Sequence, residues 1–379
     1  MHTSVLTLPP GVRITLRRAA LLLLTLGVLV AMVVLAVLAN ASLLAMTACA
    51  QTAPERYVVH GTRVDVCDLA GEVRVVPGTG REVEVVVKRG GRDAGRLKVV
   101  AGERGDWSTL HVVYPGDRIV YPRMQGGRTT VSVSRDGCLG EPHGSLFRRR
   151  VSISGHGFGT EAWADLEVRV PRGLTVALRL GAGEMTATGV DGDLTLDVAS
   201  ASVHTERTRG PLLVDTGSGG VTVRDHQGGD VLVDTGSGGV RIDGLRGGRV
   251  KLDTGSGGVT AVNLEAEDLL VDTGSGSVVL EGVSAPAISV DTGSGGVRLA
   301  LTESPRSLLV DTGSGGVTIL GPAGLNAEIE LETGSGSIQS DYEVALLHKD
   351  HGYLRGTIGS GHGRIKVDTG SGSVSLRQK

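Results

Sequence analysis

Aromatic side chains are scarce in this chain: five Tyr, two Phe and two Trp among 379 residues. Between Trp163 and Tyr342 there is none. That stretch lacks the flat aromatic platforms on which sugar-binding faces rely. Positive charge is not in excess either. The formal net charge is −3, which gives no reason to expect nucleic acid or an acidic membrane surface as partner. No Ser/His/Asp or Cys/His nucleophile set and no phosphate loop stands out. The 60 glycines follow no G-X-Y period, which excludes collagen. The 40% apolar content, largely Val and Leu, argues against disorder. Cysteine is rare, with three residues, Cys49, Cys67 and Cys138.

What remains is Gly and Val, a composition suited to many short strands joined by tight turns. The N-terminus stands apart. Arg13, Arg17 and Arg18 precede the uncharged run 19–38, long enough to span a bilayer as a helix. The arginines would stay cytoplasmic and the body would be exported. Three readings of residues 1–49 follow. "LLAMTAC" resembles a lipobox with lipidation at Cys49, the run could stay as an uncleaved anchor, or Ala39-Asn40-Ala41 could serve as a cleavage site. Export to an oxidising compartment would favour a Cys67–Cys138 bridge. It would close a loop of about 72 residues and stabilise by about 4 kcal/mol in the chain-entropy picture. Two buried thiols are the alternative.

The dominant signal is a repeat. DTGSG recurs at Asp215, Asp234, Asp253, Asp272, Asp291, Asp311 and Asp368, and Glu332 opens an ETGSG copy. Weaker copies place Asp197 and Arg179 at the same position. Numbering each copy from its acid as 0, positions −3 and −1 are apolar in all eight, and +6 is always Val or Ile. Position −2 tolerates charge, as at Lys251. This is period-2 patterning, two short strands per repeat. It predicts an all-β fold: a single-stranded parallel β-solenoid (β-helix) of about ten coils with 18–21-residue repeats, preceded by an N-terminal hydrophobic helix. An up-and-down antiparallel arrangement is the alternative. The expected divisions are a signal or anchor segment (1–49), an irregular β cap (50–175), the DTGSG solenoid (176–340) and C-terminal coils with a cap (341–379).

D-T-G-S also opens the active-site motif of aspartic proteases. Those need two facing carboxylates sharing a proton, whereas here one acid recurs every coil. The parity of position 0 faces it outward. The motif reads as turn chemistry: an Asx-turn at the Asp, glycines at φ > 0, and local bonds or ladders from Thr and Ser. A second reading uses the stacked Asp215, Asp234, Asp253, Asp272, Asp291, Asp311 and Asp368 as a Ca²⁺ ladder. A third uses the Asp-bearing face in a polysaccharide-active or aspartic-type enzyme.

The flanks add two weaker signals. Tyr114, Tyr121, Phe147, Arg148, Arg149, Arg150, Phe158 and Trp163 suggest a partner-binding patch or a packed cap. His348, Asp350, His351 and His362 lie near one another in sequence, but their spacing matches no known metal site.

"VRVPRG" at 168–173, the VDTGSGGV units and the closing "GTIGSGHGRIKVDTGSGSVSL" resemble the bacterial adhesin-like, toastrack-type β-strand-repeat family of cell-envelope proteins, over residues 60 to 379. The resemblance implies a β-solenoid-like, surface- or membrane-associated protein without established enzymatic activity. The expectation is an exported, membrane-tethered structural or adhesin-like module that uses no cofactor and performs no catalysis. It would be held at the membrane through its N-terminus and would meet an envelope protein or surface ligand.

Overall fold

The computed structural model describes residues 53–125, 127–139 and 148–379. The expected hydrophobic helix and Cys49 lie outside these residues. Among the described residues no helix is long and apolar enough to cross a membrane. They form strands, with two short 3-10 turns at Ala94–Arg96 and Pro122–Met124.

The repeats stack in parallel and in register. Leu212–Thr216, Val231–Thr235, Arg249–Thr254, Asp268–Thr273, Ala287–Thr292 and Ser307–Thr312 pair successively along one side, each acid aligned with the next. Val221–Gln227, Val240–Arg246, Val259–Glu265, Val278–Val283, Val297–Leu301 and Val317–Gly321 do the same along a second side. The antiparallel alternative is thereby set aside for the repeats. Upstream, Asp193–Glu206, Thr175–Thr188 and Arg63–Pro77 are long bent strands that run through both sides. The first coil therefore starts within residues 50–175, the irregular region expected to cap the stack.

Alternation explains the core. Val214, Val233, Leu252, Val271, Val290 and Val310 from the first side face Val223, Ile242, Ala261, Leu280, Leu299 and Ile319 from the second, none more than 1% exposed. Burying each such side chain contributes roughly 1.5–3 kcal/mol, and only neighbouring coils complete the cover. A short third side, unforeseen in a two-strand repeat, closes each coil. Its corner residue is left-handed in Arg207, Asp225, Gly244, Asn263 and Gly282, with φ of 51 to 74°. Asp, Asn and Gly tolerate that conformation best. The corner shifts parity by one residue and turns His226, Leu245, Leu264 and Val283 inward.

The stack departs from chain order at its C-terminal end. Sequence order would put the Glu332 coil directly after the Asp311 coil. Instead Ser307–Thr312 pairs with Gly363–Thr369, and Ala327–Thr333 lies beyond. On the second side Val374–Gln378 likewise sits between Val317–Gly321 and Ile338–Ser340. The reason is the insertion at 341–356. It contributes to an antiparallel hairpin, Ala345–Lys349 with Tyr353–Ile358, that runs back along Ala327–Thr333 and returns the chain to the vacant slot. Counted through these pairings, the first side is eleven strands deep, a rod of about 50 Å at ~4.8 Å per coil.

At the other end Arg63–Pro77 is covered by Trp107–Val113 and Trp163–Val170. The latter continues into an antiparallel layer of Val83–Gly90 and Glu55–Val59. A separate four-stranded sheet is built from Arg118–Val120, Arg128–Val133, Arg149–Ser154 and Thr160–Glu161.

Candidate functional site

The DTGSG motif builds its turn with Thr, a correction to the Asx-turn expectation. Position +1 shares the inward parity, so Thr216, Thr235, Thr254, Thr273, Thr292, Thr312, Thr333 and Thr369 are buried, at most 3% exposed. Thr254 Oγ1 accepts from the Gly257 backbone N–H (3.0 Å) and donates to the Gly238 carbonyl of the preceding coil (3.0 Å). The same pair of bonds recurs in every copy, with Thr369 donating to Gly315 and Thr333 to Gly372, following the threaded order. The motif glycines are a second correction. None of them is among the left-handed residues. They are required by close approach between coils: a Cβ on Gly257 would lie 2.0 Å from the Gly238 carbonyl oxygen.

With the turn assigned to Thr, the acids are free to face solvent. Asp197, Asp215, Asp234, Asp253, Asp272, Asp291, Asp311, Asp368 and Glu332 form one column by pairing register. Arg179 precedes Asp197 in that column. Burial and then the neighbouring Asp234 raise the Asp215 pKa, while burial, Asp272 and Asp311 raise that of Asp291. Lys251 Nζ lies 3.1 Å from Asp253 Oδ2. Beside the acids, position −2 carries leucines interrupted by Lys251 and Ser289. Leu213, Leu270 and Leu309 are 37%, 37% and 42% exposed, and Leu232 is half-buried. The face is acidic, with exposed leucines set among polar residues.

One acid per coil in a single column differs from the facing pair that shared-proton catalysis needs. Among the described residues the one trio of ligating side chains close enough to share an ion is Asp65, His111 and Cys138, outside the repeat ladder. His348, Asp350, His351 and His362 form no such group there. His348 meets Asp350 at 3.3 Å, whereas His362 bonds Ser360 and Asn326.

The N-terminal end carries a polar core that sequence reading missed. Cys67 and Cys138 are joined by a disulfide with Cα atoms 5.6 Å apart, both fully buried. Cys67 lies in the column that continues through Arg179 into the acids. Asp68 is fully buried and accepts from Tyr114 Oη at 2.8 Å, and burial holds its pKa well above the usual carboxylate range. Arg179 Nε lies 3.4 Å from Asp65 Oδ1. Of the aromatic set, Tyr114 and Tyr121 are core residues. Trp163 packs against Tyr121, Phe158 is 95% exposed, and Phe147 lies outside the described residues.

Residues 164–377 match the family model described as Toastrack DUF4097. Among solved structures, the chain is 9% identical to a "putative cell adhesion protein" of Clostridium sporogenes, covering 86% of this chain and 100% of that one at a TM-score of 0.20. It is 12% identical to a "putative adhesin" of Bacteroides fragilis, covering 86% and 96% at a TM-score of 0.29. Scores that low do not establish a common arrangement. No curated protein matches the chain. The family model spans more than half of the 379 residues, and the chain belongs to the toastrack family.

Proposed function

We propose that the protein is an exported β-solenoid, tethered at the membrane through residues 1–49, that acts as a non-catalytic, adhesin-like interaction module. The observation that carries this is the outer face of the first side, where exposed Leu213, Leu270 and Leu309 run beside the acid column. Lys251 and Ser289 interrupt the leucines, so the column offers separate apolar contact points held in register, which a partner can cover. The acids select what covers it: a protein segment of the envelope that alternates cationic and apolar side chains. The rigid stack holds the contact points at one spacing over many coils, so weak contacts add up.

A photo-crosslinking residue at Leu270 in cells should capture a discrete envelope partner, and one at Arg241 on the second side should not. The same weak pattern from both positions would remove the docking face. Membrane tethering is checked separately. Cys49→Ala should leave the precursor unprocessed or release the protein if Cys49 is lipidated; unchanged mature mass and fractionation would leave the uncleaved anchor.

A further inference from the structure

The disulfide does not lie in an apolar pocket. Asp65 and Cys67 stand two residues apart on Arg63–Pro77 and share its outer face. Everywhere along the repeats that face is wet, but here it is buried, with Cys138 and Leu139 also in the core. His111 is the register partner of Cys67 on the adjoining parallel strand, so both side chains leave the sheet on one side. Asp65, His111 and Cys138 offer ligand atoms that all lie within 4.8 Å of one another. Asp65 and His111 are 5% and 4% exposed, yet His111 Nε2 has no hydrogen-bond partner and Asp65 Oδ1 meets only Arg179 Nε, at 3.4 Å. Buried polar atoms are seldom left this way.

We infer that Cys67, Cys138, His111 and Asp65 form a site for a soft divalent cation, Zn²⁺ in kind, when the disulfide is reduced. Two thiolates, an imidazole nitrogen and a carboxylate oxygen are a tetrahedral zinc donor set. The reduction is a thiol–disulfide exchange. An external dithiol gives two electrons and two protons to the S–S bond, leaves as its own disulfide, and two thiols remain. Zn²⁺ then displaces both thiol protons to solvent.

The surroundings suit the charge. Zn²⁺ with two thiolates and one carboxylate carries −1, and Arg179, 3.4 Å from Asp65, balances it. His111 Nε2 is buried and makes no hydrogen bond, which leaves that nitrogen free to ligate. Its Nδ1 lies 3.9 Å from Asp136, which pairs with Arg104. Metal-ligating histidines are commonly oriented by such a carboxylate on the other nitrogen. The sulfurs must separate and the other two ligands move inward to meet zinc at ~2.0–2.3 Å. The oxidised protein holds the site shut through the S–S bond, and reduction exchanges a covalent staple for a metal staple between the same two segments.

Detergent-solubilised full-length protein would be reduced, freed of reductant without oxygen, and titrated with Co²⁺ and then Zn²⁺. Reduced protein should bind one Co²⁺ with the visible bands of a tetrahedral thiolate complex, bleached by Zn²⁺, while oxidised protein shows none. Zn²⁺ should raise the unfolding temperature of the reduced form only. Cys138→Ser should abolish the bands, and His111→Ala and Asp65→Asn should each weaken binding by at least about tenfold. Absence of thiolate bands in the reduced protein overturns the inference. So do equal affinities in wild type, His111→Ala and Asp65→Asn, which would mark an adventitious two-thiol complex. A reduced chain that stays unfolded in Zn²⁺ overturns it as well.

Discussion

Thr254→Val separates the two roles available to the repeated motif. Valine has nearly the shape of threonine, so the core around position 254 stays filled. The hydroxyl is lost, and with it the bonds to the Gly257 N–H and the Gly238 carbonyl, both at 3.0 Å. A buried polar group left unpaired costs about 1–3 kcal/mol, so two part-buried ones give at most ~2–6 kcal/mol. Thr254→Ser keeps both bonds and loses one buried methyl, about 0.8 kcal/mol. Asp253→Asn removes a half-exposed ion pair with Lys251, worth ~0–1 kcal/mol, and relieves repulsion along the column. Urea unfolding followed by circular dichroism should therefore rank Thr254→Val far below Thr254→Ser and Asp253→Asn. Hydrogen exchange at the Gly257 amide should rise selectively in Thr254→Val. An Asp253→Asn variant less stable than Thr254→Val would refute the reasoning and return the motif to its acid.

Three further outcomes follow from the stack. Gly257→Ala should lose several kcal/mol in the same unfolding assay, because overpacking against backbone cannot be relieved by a rotamer, whereas Gly324→Ala, with open space around it, should be neutral. Asp215 has a raised folded pKa, so its carboxyl favours the folded state below the unfolded value near 3.9 and that contribution is lost as pH rises through the folded pKa; Asp215→Asn should be more stable than wild type at pH 7, with the difference shrinking toward pH 3, and Ca²⁺ or chelator should leave both melting temperatures unchanged. Deleting residues 363–379 removes an interior coil, so hydrogen exchange should show residues 327–358 losing protection together, where an end coil would be lost alone.

Period-2 patterning and the 19-residue repeat were enough to read parallel coils, their apolar core and the outward acids, because those features depend on side chains within a few residues of one another. The buried hydroxyl was also within reach. Position +1 has inward parity and is Thr in every DTGSG copy, and an inward hydroxyl must find a partner. The left-handed corner was signalled by Asp225, Gly244, Asn263 and Gly282 at one offset. The third side went unread because one such residue resets the alternation on which the reading depended.

Sequence alone determined that this chain stacks on itself, since no single 19-residue coil can cover its own Val and Leu. Tertiary structure alone decided the order of the last coils and the company of the disulfide. Near-identical coils fit every slot of the stack about equally well, so local preference cannot rank them; the hairpin at 345–358 chooses by returning the chain to the slot beside Asp311. Asp65, His111 and Cys138 are far apart along the chain and carry no shared pattern. They meet because the parallel pairing of Arg63–Pro77 with Trp107–Val113 sets His111 beside Cys67, and the bond to Cys138 closes the other side.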